Sequence, residues 1–441
     1  MVRLVGAFGR LESSRVLVAG DLMLDTYTVG KASRISPEAP VAVVHVHHEE
    51  HRAGGAGNVV LNLLALGVNV SVLGRVGTDG PGTTLIDALN EVDADCSGIV
   101  RQEGYLTPVK NRVISDSQQI VRVDREQNSP LDPLLEQQIC GQIPEMLAGI
   151  QLVAISDYGK GLLTPRLLRV LIDEAQERHI PIITDPKGLD FSKYAGSTII
   201  KPNLSEALAA SGLEHGSPLP EVAERLLQLT QAKVLMITRS QDGISLYYPN
   251  GHQDNLPVKI REIKDVTGAG DTVLAMVSCG LASGLDLGSC CQLANVAAGI
   301  AIERFGCARV SLSDVAKRLL ETDMVNKIFD EEHLFALCEA LKGQKVAVLG
   351  LHGSEGLQSS AFAALRKLHQ REQWATLVYV RDREPDDHFI EMLVSLREVD
   401  FIILKSESLR HLCEVLAPDE VYVVEEGALQ QMQQMGDLVL S

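Results

Sequence analysis

Apolar residues in this chain fall into short unbroken runs that each end in polar groups. Arg15 to Gly20 delivers Asp21 and Asp25, Leu152 to Ile155 delivers Asp157, and Ile180 to Thr184 delivers Asp185. Thr198 to Ile200 ends in Lys201, and Val234 to Ile237 ends in Thr238 and Arg239. Runs of this length without alternation predict strands buried on both faces, and each leads into a segment of helical spacing. The repeated strand–helix rhythm predicts an α/β fold: a mostly parallel sheet between helices, with its site along the C-terminal strand edge. A further strand is expected over Val70–Gly74, and helices over Val59–Leu66 and Leu134–Leu147.

Two stretches break this rhythm. Val41–Val46, and the pair Thr107–Val113 and Gln118–Asp124, read as polar-rich strands set apart from the buried sheet, with Gly30–Pro40 as a polar turn region. Lys110, Arg112 and Arg122 on them can form a positive lid over an anionic ligand. His47, His48 and His51 lie beside Glu49 and Glu50 and read as a solvated strand end rather than a metal site.

Composition narrows the partners. The 441 residues allow a large and a small domain, and a formal net charge of -18 argues against nucleic acid or an anionic membrane as a general partner. Any phosphorylated ligand therefore needs a local cluster of Lys and Arg. The 8 cysteines are scattered without a C-x-x-C, which reads as reduced thiols in a cytoplasmic protein without a zinc site. Charged residues punctuate every apolar stretch, so neither a signal peptide nor a membrane span is expected.

The chemistry concentrates at Asp265-Val266-Thr267-Gly268-Ala269-Gly270-Asp271-Thr272, just before an apolar helical run from Val273 to Leu281. A glycine-lined helix start leaves backbone N–H groups for an anion, and Asp271 beside them can take a proton from an attacking hydroxyl. Together these are the parts of phosphoryl transfer; the plainer reading is a turn capping a helix. A second glycine turn, Gly54-Gly55-Ala56-Gly57-Asn58, permits close backbone approach. Its Asn58 either binds a sugar hydroxyl or caps the helix that follows. Asn203 and Glu206, three apart, either hold nucleotide phosphates with Mg²⁺ and its waters or form a helix-capping pair.

Taken together, residues 10 to 320 resemble the ribokinase-like (PfkB) carbohydrate kinases, whose two signatures the turns at 54–58 and 265–272 match in order. Within that family the likeness is nearest to the D-glycero-β-D-manno-heptose 7-phosphate kinases. It is carried by Ser33–Val41, Lys110–Val113, Gln118-Gln119, Ser156–Gly161, Asp185–Gly188 and Lys201–Glu206, with Lys201 a departure where a small polar residue is usual. The resemblance implies a three-layer sandwich with a β lid and ATP-dependent phosphorylation of the heptose phosphate at O1. It implies Asp271 as general base, with the backbone of Thr267, Gly268, Ala269 and Gly270 forming the anion hole that meets the nucleotide. Asn203, Leu204, Ser205 and Glu206 would meet ATP phosphates, with Glu206 reaching Mg²⁺ through water. Thr238, Arg239, Gly243 and Asn295 would border the nucleotide. Asp21, Gly54, Gly55, Asn58 and Asp157 would bind the sugar, and Lys110, Arg112, Lys160 and Lys187 its phosphate. Separately, the exposed strands around 41–46 and 107–123 are expected to pair across a homodimer. Two other readings stand beside this one: a kinase of another sugar phosphate, and a non-catalytic nucleotide- and sugar-phosphate-binding protein.

Beyond residue 320 the pattern starts again. Residues 321–342 read as a connector helix, and 343–441 as a small Rossmann-like domain with strands near Lys345–Gly350, Ala375–Val380, Phe401–Leu404 and Glu420–Val424. This part resembles the nucleotidyltransferases that accompany heptose kinases, which carry an H-x-G-H turn after the first strand. Here the turn reads Leu351-His352-Gly353-Ser354-Glu355-Gly356, and the chain ends at Leu438–Ser441 without the family's phosphate-binding end. Adenylyl transfer is therefore expected to be absent.

Overall fold

A computed structural model describes residues 4–115, 118–214, 216–258, 262–321, 327–382, 384–404, 406, 408–425 and 428–432. The expectation placed on Leu438–Ser441 lies outside the described residues. The chain divides into two compact units, Glu12–Ser311 and a second formed by Met1–Leu11 with Leu312–Ser441.

In the larger unit the strands are, in chain order, β1 (Arg15–Gly20), β2 (Leu22–Ile35), β3 (Ala42–Gly55), β4 (Asn69–Gly77), β5 (Asp95–Gln102), β6 (Val109–Ser115), β7 (Gln118–Arg125), β8 (Leu152–Ser156), β9 (Ile182–Asp185), β10 (Ile199–Ile200), β11 (Val234–Thr238), β12 (Ile244–Tyr247) and β13 (Gln253–Leu256). Nine of them form one sheet in the order β13-β12-β11-β10-β9-β8-β1-β4-β5, parallel from β11 through β5 and antiparallel over β12 and β13.

The unbroken apolar runs have the cause their pattern suggests. Leu17, Ala19, Val153, Ile155, Ile182 and Leu235 pack on one face against Ile139, Leu168, Ile172 and Leu226 of the helices Pro133–Met146, Pro165–Glu177 and Leu219–Thr230. The helices Ala56–Ala65 and Ala269–Ala282 lie on the other side, so the alternate residues Val16, Val18 and Ala154 are buried too. With both faces covered, no position on these strands calls for a polar residue until the strand ends.

The remaining strands form a four-stranded lid, β3-β2-β6-β7. Here the expectation of a polar turn from Gly30 is corrected: β2 continues to Ile35, paired antiparallel with β3. The stretch reads as a turn because Lys31, Ser33 and Arg34 face solvent on a strand whose far end has no covering layer.

The smaller unit adds β14 (Ile328–Phe329), β15 (Lys345–Leu351), β16 (Trp374–Val380), β17 (Phe401–Ile403), β18 (Glu420–Glu425) and β19 (Ala428–Met432), ordered β14-β17-β16-β15-β18-β19 and parallel except for β19. The connector is not one helix over its described part. Ile328 and Phe329 pair with β17, and only Leu334–Leu341 is α-helical. Its apolar residues mix both periods, because two of them complete a sheet edge and the rest face inward from a helix.

Candidate active site

Sheet order converts separate strand ends into one row. Moving from β11 through β10, β9 and β8 to β1, the C-terminal edge presents Thr238, then Lys201 to Asn203, Asp185, Asp157 with Tyr158, and Asp21. The helix Ala269–Ala282 begins above this row.

Gly268 caps that helix in the left-handed region (φ 78°), and among the described residues no side chain caps it. A Cβ on Gly268 would sit 2.7 Å from Asn58 Nδ2, so the position needs glycine for conformation and for space. Asp265 ties the approach: its Oδ1 accepts from the Thr267 amide (2.9 Å) and hydroxyl (2.6 Å), and its Oδ2 from the Gly306 amide (2.9 Å). The Ala269 amide donates to the Val266 carbonyl at a long 3.3 Å, and among the described residues no carboxylate accepts from the Ala269 or Gly270 amide, which suits these first-turn groups to an external anion.

Asp271 follows in the first turn and is buried. Asn58 Nδ2 donates to its Oδ2 at 2.8 Å, and the Tyr158 hydroxyl donates to its Oδ1 at 2.6 Å. Burial raises its carboxyl above the ordinary range, while the two hydrogen bonds and the Lys201 charge pull the other way. Lys201, buried beside the helix start, lies 2.7 Å from Asp185. Burial pushes Asp185 up to about 6, opposed by that ammonium.

The proposed sugar residues divide into two kinds. Asn58 touches Asp271 directly. Asp21 instead faces its own scaffold: Oδ2 accepts from the Tyr158 and Lys160 amides (2.9 Å each) and Oδ1 from the Leu162 amide (3.4 Å). Asp157 does likewise, accepting from the Gly159 amide (2.7 Å), Lys193 (2.7 Å) and the Tyr194 hydroxyl (2.6 Å). Gly54 lies against Asp25, whose Oδ2 occupies the space a side chain would need, and Gly55 leads into the helix that carries Asn58.

The four basic candidates separate as well. Lys110 of β6 and Lys160 converge on Glu126, at 3.9 and 2.8 Å, with Lys110 also 3.4 Å from Asp124. Arg112 is bound to buried Asp25 and lies over the Tyr27 ring. Lys187 is 2.9 Å from Glu206 at the other end of the row. Glu206 and Asn203 form a complete capping box at the start of the helix Leu204–Ser211, with Leu204 and Ser205 in its first turn. Next to them Thr238 bridges to Asn203, the Arg239 amide donates to the Gly243 carbonyl (2.8 Å), and Asn295 donates to Leu256 O (2.9 Å).

A family model described as pfkB family carbohydrate kinase matches residues 13–314. The chain belongs to the pfkB carbohydrate kinases. The protein named "Bifunctional protein HldE" of Trichlorobacter lovleyi is 45% identical over 345 residues, covering 77% of this chain and 70% of that one. Its namesake in Geobacter metallireducens is 43% identical over 350 residues, covering 78% and 71%. In fold, the pfkB unit resembles the Arabidopsis thaliana ribokinase complexed with ribose and ATP (TM-score 0.55, 15% identity), over 70% of this chain and 99% of that chain.

Within this site the sequence assigns no role to Tyr158 or Cys307, nor any specific role to Asp25 or Asp185. Asp25 and Asp185 were visible only as strand-end acids. Cys307 carries no local signal, yet its thiol lies 3.7 Å from Asp25 and is pushed up to about 12 by burial and that carboxylate. Among the described residues no group of three or more His, Cys, Asp or Glu could cage a cation. At the Asn203 border the carboxylate is Glu206, engaged by Lys187 and by the Asn203 amide, so Mg²⁺ would arrive on the phosphates and reach it through its own waters.

Proposed function

We propose that the larger unit transfers the γ-phosphoryl group of ATP to O1 of D-glycero-β-D-manno-heptose 7-phosphate. The observation that carries this reading is the pairing of an open helix entrance with the buried, doubly hydrogen-bonded Asp271. The amides from Thr267 to Gly270 bind the migrating phosphoryl group, and Asp271 takes the proton from the attacking hydroxyl. Asn58 fixes the acid and the sugar side of the site, while Asn203, Glu206 and Lys187 lie toward the phosphates. Mg²⁺ held through Glu206 would neutralise phosphate charge when bound.

For the phosphate already on the sugar, we assign Lys110 and Lys160. They flank one carboxylate, and an incoming phosphate can replace Glu126 between them. Arg112, neutralised by Asp25, and Lys187, on the nucleotide side, fit that role less well. The choice of heptose is supported by the sequence likeness to heptose 7-phosphate kinases, and the choice of ATP by membership of a kinase family.

The lid also suggests self-association. Its edge strand β7 exposes Ile120, Val121 and Val123, and an exposed apolar edge pairs readily with another. We assign this edge to a homodimer contact. For the smaller unit we propose no adenylyl transfer. The Gly353 amide, at the end of β15, already donates to Asp382 Oδ2 at 2.5 Å, so an internal carboxylate sits where a phosphate would be received.

The test is a panel of phosphorylated sugars with Mg-ATP, ranked by kcat/KM. The heptose 7-phosphate should lead. A higher value for another sugar phosphate overturns the substrate, and no ATP consumption with any of them overturns the kinase.

A further inference from the structure

The mechanism above leaves a half-buried group at its centre, Tyr158, unused. Tyr158 stands just beyond β8, and its loop is pinned from several sides. Asp21 accepts its amide and that of Lys160, Arg75 Nη2 donates to the Lys160 carbonyl at 2.6 Å, and the Leu131 amide donates to the Gly161 carbonyl at 3.0 Å. Arg75 itself is fully buried and stacked 3.8 Å from the Tyr105 ring centroid. Such a network leaves the backbone of residues 158–162 little freedom, and the Tyr158 hydroxyl arrives on Asp271 Oδ1 already aimed.

We propose that Tyr158 is the positioning residue of the general base: with Asn58 on the other oxygen, it fixes the plane of the Asp271 carboxylate and stabilises its ionised form. This rests on Asp271 being the base. Two donors on opposite oxygens prevent rotation about the Cβ–Cγ bond, so the remaining lone pairs keep one direction toward the acceptor hydroxyl. Tyr158 acts as a fixed donor and not as a relay. Burial and the neighbouring Asp271 charge raise its phenol well above the usual range, so the proton stays on the tyrosine. Asp21 then acts at one remove, by holding the loop rather than the sugar.

Other charges face Asp271 from every side. Lys201 favours its ionised form, Asp25 disfavours it, and Asp185 and Cys307 feel its charge in turn. None of these changes when the phenol oxygen of Tyr158 is removed, so a shift in Tyr158→Phe reports the missing hydrogen bond.

The experiment is the pH profile of kcat in wild type, Tyr158→Phe and Asp271→Asn. Loss of a hydrogen bond to a charged group should move the acid limb of Tyr158→Phe upward by about one pH unit. KM for ATP should stay near wild type, and kcat should recover toward wild type at high pH. Replacing Tyr158 by 3-fluorotyrosine, a stronger donor of the same shape, should move the limb downward and keeps the test open if the Phe variant does not fold. An acid limb that stays in place in whichever of these variants folds overturns the positioning role. Wild-type turnover by Asp271→Asn would instead overturn the base assignment beneath it, so the two failures are distinguishable.

Discussion

The two units of this chain offer the same local device in opposite conditions. Each has a mostly parallel sheet and glycine amides near an aspartate, at a helix start in the larger unit and just beyond β15 in the smaller. In the larger unit the acid, Asp271, is the third residue of the helix and is held by Asn58 and Tyr158 rather than by the amides before it. In the smaller unit the acid, Asp382, accepts directly from the Gly353 amide, with His352 Nδ1 3.8 Å away. On the function proposed above, the carboxylate beside the amide pocket serves a phosphate, and the one inside it excludes one. What separates the two is where the acid's hydrogen bonds go, not how many acids or glycines each unit has.

That contrast can be broken at several points. The largest effect is expected from Asp271→Asn, which keeps the shape and the Asn58 contact region but removes the base. Turnover should fall by about a hundredfold or more, with KM for ATP little changed, as read by coupled ADP release. Next comes pH. Burial raises the Asp271 carboxyl, and only its ionised form accepts the proton. The rate should therefore drop roughly tenfold per unit as pH falls below that raised value, and hold steady above it until another group intervenes. A limb lying at or below an ordinary carboxylate's range would contradict the burial argument.

Gly268→Ala should cost roughly tenfold in kcat. The left-handed backbone resists a Cβ by about 1–2 kcal/mol, and the new methyl displaces Asn58 from Asp271. A structure of the variant would show Asn58 turned away. The smallest effect belongs to the other unit. Asp382→Ala removes one hydrogen bond, and about 1 kcal/mol of that unit's stability by thermal unfolding, while phosphorylation of the sugar continues at the wild-type rate.

What the sequence disclosed, and what it withheld, follows from distance along the chain. The sheet was legible because burial on both faces leaves uninterrupted runs such as Val16–Ala19 and Leu152–Ile155. The turn at 265–272 was legible because its glycines, its acid and its helix are consecutive. Tyr158 was not, since nothing near residue 158 announces a partner 113 positions away. Asp21 looked like a ligand-binding acid for the reason that strand ends often bear one. Only the coordinates reveal that three amides of a loop about 140 residues later already occupy it. The lid was half legible: its charged strands were recognised, but the solvated end of β2 carries the composition of a turn.

Phosphorus NMR of one mixture probes both units at once. The full chain is given Mg-ATP with D-glycero-β-D-manno-heptose 7-phosphate and the corresponding heptose 1-phosphate. The expected spectrum gains ADP and a new anomeric phosphate resonance, and no pyrophosphate. Pyrophosphate accumulation, or ATP left intact, would contradict the division between a working amide pocket and a self-filled one.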